Sequence, residues 1–287
     1  MRNKILLTLF AAAMLFAGCG KDKITYLTPV KVSVNDFAIS QENIPSKDAI
    51  ASYNGVKAVT LAFYASDGTE AYKTTQLRED ATTYTTFGEF DLSLPMGSYT
   101  MMVLGYALYD DDVLTLTSPT QAEYTAGYPR ETFATTQAVN ITSTNDVSLS
   151  ATLDRIVTKL QVVSTDGKTA NANKVRMTFS AGGKQFSPTT GLATVNTGSI
   201  STVGISAAVG STSSSIGYLF LATDEQTMTV TIDVLDADGN SISHKVVNNV
   251  PFKRNRCTKL TGSLYSAGTG SNFQLNTSWL DEYDMSF

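Results

Sequence analysis

Hydrophobic residues alternate with polar residues along most of the chain from Val30 onwards. The alternation is clearest in Val30, Val32 and Val34; Phe90, Leu92 and Leu94; Val175, Met177 and Phe179; and Val230, Ile232 and Val234. Because successive side chains of a strand point to opposite faces, this period of two predicts strands with one buried face. The pattern therefore predicts an all-β fold of antiparallel strands.

The alternation changes phase near the middle of the chain. It runs through Val147–Leu153 and resumes in a different phase after Asp154-Arg155. A strand that closes one sheet and leads directly into the next domain would give this pattern. We therefore expect two tandem antiparallel β-sandwich domains, residues 31–153 and residues 154–287.

The turn at Leu94–Tyr99 gives the clearest architectural signal. Pro95 presets one turn position and Gly97 permits a positive φ, so a turn is expected before a strand with Tyr99 facing inward. This corner resembles one that recurs in small β-sandwich domains of the transthyretin-like kind. Both sandwiches are accordingly expected to be transthyretin-like.

Other polar segments are expected to be turns and loops. Asp236–Asn240 faintly resembles the opening of a calcium loop, but a hairpin turn is favoured because the downstream bidentate glutamate is missing. Gly182-Gly183 is also expected to be a hairpin turn, and Asp110–Asp112 a solvated hairpin tip rather than a calcium site. Residues 118–136 are interpreted as an irregular connection that covers the end of a sandwich, and residues 199–215 as a flexible loop or a weak edge strand.

The first residues have the pattern of a lipoprotein leader. Arg2 and Lys4 precede an apolar run, Ile5–Ala17, that is too short to span a bilayer as a stable helix. Small residues then lead to Cys19, and this stretch resembles a bacterial lipobox, in which the cysteine is acylated and becomes the new N-terminus. We predict a signal peptide over residues 1–18 and a polar tether over residues 19–30. An ordinary cleaved signal with a chance cysteine is the alternative.

Composition and charge narrow the function. The formal net charge of the 287 residues is -5, and no cluster of Lys or Arg could follow a phosphate backbone, so nucleic acid is not an expected partner. Cys19 and Cys257 are the two cysteines. If Cys19 carries lipid, Cys257 has no disulfide partner, and it is expected to be buried filler.

Nothing in the sequence favours an enzyme. His244 is the single histidine, so a serine or cysteine nucleophile would have one candidate imidazole base. Its place inside an alternating strand pattern favours an exposed strand residue. We expect no catalytic residues, no metal site and no cofactor.

Several segments together resemble the fimbrillin family of Bacteroides-type fimbriae (type V pili), most closely its lipid-anchored anchoring-subunit branch. They are Cys19 after the lipobox, the corner Leu94–Tyr99, the junction Leu153–Leu160, the run Val250–Gly262 and the late Trp279. The resemblance implies two tandem β-sandwiches and a non-enzymatic role. It also implies a location in the fimbrium at the cell surface, attached to the outer membrane by lipid.

The resemblance further implies that neighbouring fimbrial subunits join by strand complementation, in which a strand from one subunit completes a sheet of the next. The candidate removable strand is Tyr26–Phe37. The candidate exchange residues are Val30, Val32, Val34, Phe273, Leu275 and Trp279. Stalk subunits of the family lose their first strand by cleavage after an arginine, but no arginine lies between Arg2 and Arg78. An anchoring subunit that keeps its first strand is therefore predicted.

Two alternatives stay open at this point. A surface glycan-binding lipoprotein would stack sugars on exposed aromatic residues. A tip adhesin of the same family would bind a ligand on a host or bacterial surface.

Overall fold

The computed structural model describes residues 26–38, 55–78, 86–109, 112–266 and 274–276. Within these ranges every helix or strand element is a β-strand, so the predicted all-β class is confirmed. The strands are β1 (Leu27–Ala38), β2 (Ala58–Ala65), β3 (Glu70–Leu77), β4 (Glu89–Pro95), β5 (Gly97–Tyr106), β6 (Val113–Ser118), β7 (Gln121–Ala126), β8 (Thr132–Ile141), β9 (Val147–Arg155), β10 (Thr158–Ser164), β11 (Lys174–Phe179), β12 (Gln185–Ser187), β13 (Leu192–Ala193), β14 (Ser199–Gly204), β15 (Ser214–Leu219), β16 (Glu225–Leu235), β17 (Ser241–Lys253), β18 (Cys257–Gly262) and β19 (Gln274–Asn276).

The first nine strands, apart from β6 and β7, form one folded-over sheet in the order β3-β2-β5-β8-β9-β1-β4. Strands β8 and β9 pair through only two residue pairs, Phe133 with Arg155 and Ala134 with Asp154. Side chains from strands on both sides of this narrow junction, such as Val32 and Met101, share one core. The sheet therefore closes into a sandwich around its buried alternating residues.

The C-terminal strands form two facing sheets of four strands each. Their orders are β15-β10-β18-β19 and β14-β11-β16-β17. Val162 and Leu260 of the first sheet share a core with Met177 and Ile232 of the second. Phe179 and Phe252 meet edge to face in this core, with ring centroids 5.9 Å apart.

A third core joins the two halves. Strands β13-β12-β7-β6 form a small sheet, in which β12 of the C-terminal half pairs with β7 of the N-terminal half. Beneath it, Tyr64 and Tyr124 pack in one cluster with Phe186 and Phe220, whose rings stack at 3.9 Å. The outer face of β2 and β5 is therefore buried as well, and the halves share a continuous apolar contact.

Among the described strands two pairs run parallel, so their sheets are mixed and the prediction of antiparallel sheets is wrong. Strand β1 runs parallel to β9, and β10 runs parallel to β18. Alternation of apolar residues specifies which face of a strand is buried but not the direction of its neighbour. Direction depends on long connections that the local pattern does not reveal.

The corner at Leu94–Tyr99 is confirmed, although for a different reason at Gly97. Strand β4 ends at Pro95 and β5 begins at Gly97. The buried Tyr99 donates its hydroxyl hydrogen to the carbonyl oxygen of Pro95 over 2.8 Å. Gly97 does not have a positive φ. A Cβ there would lie 3.3 Å from the Tyr99 hydroxyl oxygen, so any larger residue would require the tyrosine ring to shift by a few tenths of an ångström.

Two segments that were expected to be irregular or only weakly structured contain strands. Residues 118–136 contain β7 and the start of β8, and the β6–β7 hairpin lies over β2 and β5 instead of forming an irregular cover. Residues 199–215 contain β14, which is an edge strand paired with β11, as one of the two interpretations predicted.

Gly182-Gly183 does not form a hairpin, because β11 and β12, on either side of it, belong to different sheets. Gly183 instead bridges to Phe220. The Asp236–Asn240 hairpin is confirmed: it joins β16 to β17, and Asp236 Oδ1 accepts hydrogen bonds from the backbone N–H groups of Asp238 and Asn240.

Candidate strand-complementation site

The N-terminal strand β1 occupies a slot between two neighbours. It pairs antiparallel with β4 through seven residue pairs and parallel with β9 through eight. Val32 faces Phe90 on one side and Leu149 on the other. Removing β1 would therefore leave the edges of both β4 and β9 unpaired at once.

From Val30 to Val34, every second side chain of β1 packs into the apolar core beneath the slot. Val30, Val32 and Val34 are buried in the N-terminal core, and Val32 has no exposed surface. Burying a valine side chain is worth roughly 1.5–3 kcal/mol, so the three valines add substantially to the backbone pairing that holds the strand. This alternation of buried pockets along a paired backbone is what recognition by strand addition requires.

Polar contacts fix the register of β1 at several points. Thr28 donates its hydroxyl hydrogen to the carbonyl oxygen of Ser143 over 2.7 Å. Ser33 donates to the carboxylate of Glu89 over 2.6 Å. The pairing with β9 shifts register between Val34 and Asp36, which marks a bulge near the end of the strand.

The last described strand lies at a sheet edge. Strand β19 pairs antiparallel with β18, with Leu275 opposite Leu260. Between them, the chain leaving β18 is held by Asp166. This carboxylate accepts hydrogen bonds from the backbone N–H groups of Leu264, Tyr265 and Ser266 over 2.7, 2.9 and 2.8 Å.

The pKa of Asp166 reflects these contacts. Burial alone would raise the pKa, but the hydrogen bonds from the Leu264 backbone and from the hydroxyls of Ser263 and Ser266 outweigh it. They lower the pKa from 3.8 to about 2. The carboxylate is therefore ionised near neutral pH. Its hydrogen bonds hold the backbone of Leu264, Tyr265 and Ser266, which leads from β18 toward the C-terminal segment, and we call this arrangement the clamp at Asp166.

The predicted site residues fall in two groups. Val30, Val32 and Val34 lie together on the buried face of β1. Leu275 lies in β19, at the edge of a sheet in the other half. Cys19, Phe273 and Trp279 lie outside the described residues. The expected exchange residues thus belong to two separate strand positions and do not form one cluster.

His244 and Cys257, the residues considered for catalysis, both lie in strands. His244 lies on β17 with 55% of its side chain exposed, and its Nδ1 lies 2.7 Å from the buried carboxylate of Asp233. Cys257 begins β18 and is half-buried, so the expectation of a buried filler is wrong.

In the described part of the chain, no three His, Cys, Asp or Glu residues are grouped to hold a metal ion. No helix among the described segments is long and apolar enough to span a membrane.

Sequence reasoning missed Asp112 and Asp166. Asp112 was expected at a solvated tip, yet its carboxylate is buried and paired with Arg130. Asp166 lies 98 residues from Leu264, so no local pattern links them. A buried aspartate partner could be suspected from a nearby arginine, but the pairing itself is set by the fold.

A model of a family of unknown function, DUF6562, matches residues 38–286. No curated protein sequence matches the chain. Among solved structures, a candidate polysaccharide-binding protein (DUF1812) from Bacteroides thetaiotaomicron is 10% identical over 89% of this chain and 99% of its own, with a TM-score of 0.53. A candidate adhesin from Bacteroides ovatus is 13% identical over 90% and 96%, with a TM-score of 0.51.

The fimbrial anchor protein Mfa2 from Porphyromonas gingivalis is 14% identical over 82% of this chain and 90% of its own, with a TM-score of 0.49. The likeness of fold to the candidate adhesin and the candidate polysaccharide-binding protein agrees with the predicted resemblance. At such identities the likeness is one of fold alone.

Proposed function

The chain belongs to the DUF6562 family of unknown function, and on that premise we propose that it is a non-enzymatic fimbrial subunit at the cell surface. In this proposal it anchors a fimbrium to the outer membrane through acylated Cys19 and joins neighbouring subunits by strand complementation. Residues 1–18 are the signal peptide, residues 19–30 are the tether, and two transthyretin-like sandwiches span residues 31–153 and 154–287.

The observation that carries the proposal is the position of β1. It is the first described strand, it fills a slot between β4 and β9, and its buried valines alternate with outward-facing residues. Strand exchange uses an element of this kind, which is a strand near one end of a chain that fills a slot in a sheet. Since no arginine precedes Arg78 after the leader, the subunit keeps β1 in place and its own slot stays filled.

With its own slot filled, this subunit would contact its neighbour through the other end of the chain. The C-terminal segment, about Phe273–Phe287, follows the clamp at Asp166 and includes Leu275 and Trp279. Strand β19 within it already adopts an extended conformation at a sheet edge. We propose that this segment is offered to the next subunit.

Intact mass of the protein extracted from membranes of its native host tests the anchor. The expected species begins at acylated Cys19 and retains β1. Cys19→Ala should release the protein from the membrane, whereas Cys257→Ala should leave it attached. A shorter, unlipidated chain that begins beyond Phe37 would instead indicate a stalk or tip subunit, and the anchoring role would be wrong.

Alanine substitution of the C-terminal segment tests the joining step. Phe273→Ala, Leu275→Ala and Trp279→Ala should shed fimbriae into the medium, as counted by electron microscopy of cells and supernatant. Thr277→Ala and Ser278→Ala are the matched controls and should leave fimbriae attached. Fimbriae that stay attached in all five variants would exclude this segment as the joining strand.

A further inference from the structure

A cleft of about 470 Å³ lies between the two halves of the molecule, and none of its lining residues belongs to β1 or β19. Lys57, Tyr109 and Arg130 line one wall, and Ser214, Ile216 and Tyr218 of β15 line the other. This volume lies within the roughly 300–1,000 Å³ typical of small-ligand sites. We call it the β15 cleft, and its role is independent of the fimbrial function proposed above.

Arg130 is fixed at the wall of the β15 cleft. Its Nε and Nη2 donate to the carboxylate of Asp112 over 2.6 and 3.2 Å, and the Asp112 side chain is only 1% exposed. The paired fork cannot rotate without breaking both bonds. Its Nη1 has no hydrogen bond to any described residue, so this nitrogen can still donate to a ligand.

Tyr109 provides an exposed aromatic ring beside this donor. The ring lies 4.5 Å from the Arg130 guanidinium, which holds it by a cation–π contact. The tyrosine is still 62% exposed. A large exposed ring that is held against a buried ion pair is a preformed stacking surface. Binding of a ligand to it therefore does not incur the entropic cost of ordering the ring.

The remaining polar groups favour donation to a ligand. Lys57 is half-buried at the cleft and forms no ion pair with the described residues. Glu131 is the acidic residue of the lining, but its carboxylate pairs with Arg155 over 2.6 Å and is thereby engaged. The described part of the cleft therefore combines a stacking ring with the Nη1 group of Arg130, whose other two nitrogens are held by Asp112, and with the ammonium group of Lys57.

The larger cleft nearby is less suited to a polar ligand. It has a volume of about 530 Å³, and its charged residues Glu123 and Lys184 pair with each other over 3.5 Å. Gln185 donates to the same glutamate over 3.2 Å. Because these groups satisfy one another, a ligand there would have to break existing contacts before making its own.

We propose that the β15 cleft binds a saccharide unit. The apolar face of a sugar ring stacks on Tyr109, and a sugar hydroxyl or carboxylate accepts hydrogen bonds from Arg130 Nη1 and Lys57 Nζ. An aromatic surface with a few fixed polar groups is the general design of small-ligand sites. Neutral and acidic sugars share this chemistry.

Binding of the full chain to an array of neutral and uronate-containing oligosaccharides, followed by calorimetry with the strongest binder, tests the proposal. Tyr109→Ala should weaken binding about tenfold, the upper range for one lost aromatic contact. Tyr26→Ala removes a similarly exposed ring elsewhere and should not change the affinity. Lys57→Gln should weaken an acidic binder more than a neutral one, whereas Lys31→Gln should affect neither.

Absence of binding to every oligosaccharide would overturn the proposal. So would equal binding of a glutamate hexapeptide that is insensitive to Tyr109→Ala, because this would indicate a nonspecific cationic patch. Unchanged thermal unfolding of the Tyr109→Ala protein would show that a loss of affinity is not a loss of fold.

Discussion

The carboxylate of Asp112 lies 2.6 Å from Nε of Arg130 and is almost completely buried. The pair connects the loop before β6 to the loop before β8 and supports the rings of Tyr109 and Tyr128 on the guanidinium. It therefore fixes two loops at the junction between the halves. Buried charges of this kind are tolerated because each desolvated group has its partner.

Replacing one member of this pair should be costly. Arg130→Met leaves the Asp112 carboxylate buried without its countercharge, and we expect the free energy of unfolding to fall by about 3–5 kcal/mol. The matched control is Lys253→Met, which breaks the exposed ion pair with Glu225 and should cost no more than about 1 kcal/mol. Urea unfolding followed by fluorescence measures both. Similar midpoints for the two variants would mean that the buried pair is not a stabilising contact.

Gly127 should be intolerant of a side chain for a reason beyond its backbone. Its φ is +74°, and a Cβ there would lie 2.0 Å from Oδ1 of Asp112. Gly68 has a similar φ of +84°, but a Cβ there would have no neighbour within 4 Å. We expect Gly68→Ala to cost about 1 kcal/mol through backbone strain, and Gly127→Ala to cost several times more.

Thermal unfolding of the two alanine variants makes this comparison directly. Because both glycines share the positive φ, the difference between the variants isolates the steric conflict with Asp112. Equal melting temperatures would exclude that conflict.

The sequence predicted the buried faces of strands more reliably than their neighbours. Val30, Val32 and Val34 face the core as expected, because burial of one strand face requires only local alternation. The parallel partner of β1 is β9, which lies more than a hundred residues later in the chain. No local pattern contains that pairing, since a strand's direction relative to its partner depends on the path of the intervening chain.

Polar contacts were predicted least well. Asp112 lies in a run of three aspartates that is typical of a solvated turn, yet the fold brings Arg130 onto it. Gly183 lies in a glycine pair that is typical of a hairpin turn, but it bridges instead to Phe220, the residue after β15. In both cases a tertiary contact overrides the local preference, and one sequence does not display that contact.

The slot around β1 predicts opposite sensitivities at neighbouring positions. Val32→Gln places an amide in a fully buried site and removes an apolar side chain, so we expect a loss of about 3–5 kcal/mol in unfolding free energy. Lys31→Gln introduces the same side chain on the exposed face and should change stability by less than about 1 kcal/mol. Urea denaturation distinguishes them, and equal losses would contradict the burial of this face.

The clamp at Asp166 predicts a stability effect that depends on pH. Asp166→Asn keeps the size of the side chain but weakens its acceptance of the backbone N–H groups of Leu264, Tyr265 and Ser266. At pH 7 we expect a loss of about 1–2 kcal/mol, after allowing for solvent screening. Asp238→Asn, in the β16–β17 turn, is the matched control and should be close to neutral.

The pH dependence follows from the direction of the pKa shift. Because the folded-state pKa of about 2 lies below the ordinary value of 3.8, the ionised clamp stabilises the fold fully above about pH 5. This contribution is lost as the pH falls through 3.8 toward 2. The difference in unfolding free energy between the unmodified chain and Asp166→Asn should therefore shrink over that interval. A difference that stays constant from pH 7 to pH 2 would mean that the carboxylate does not hold the exit of β18 through its charge.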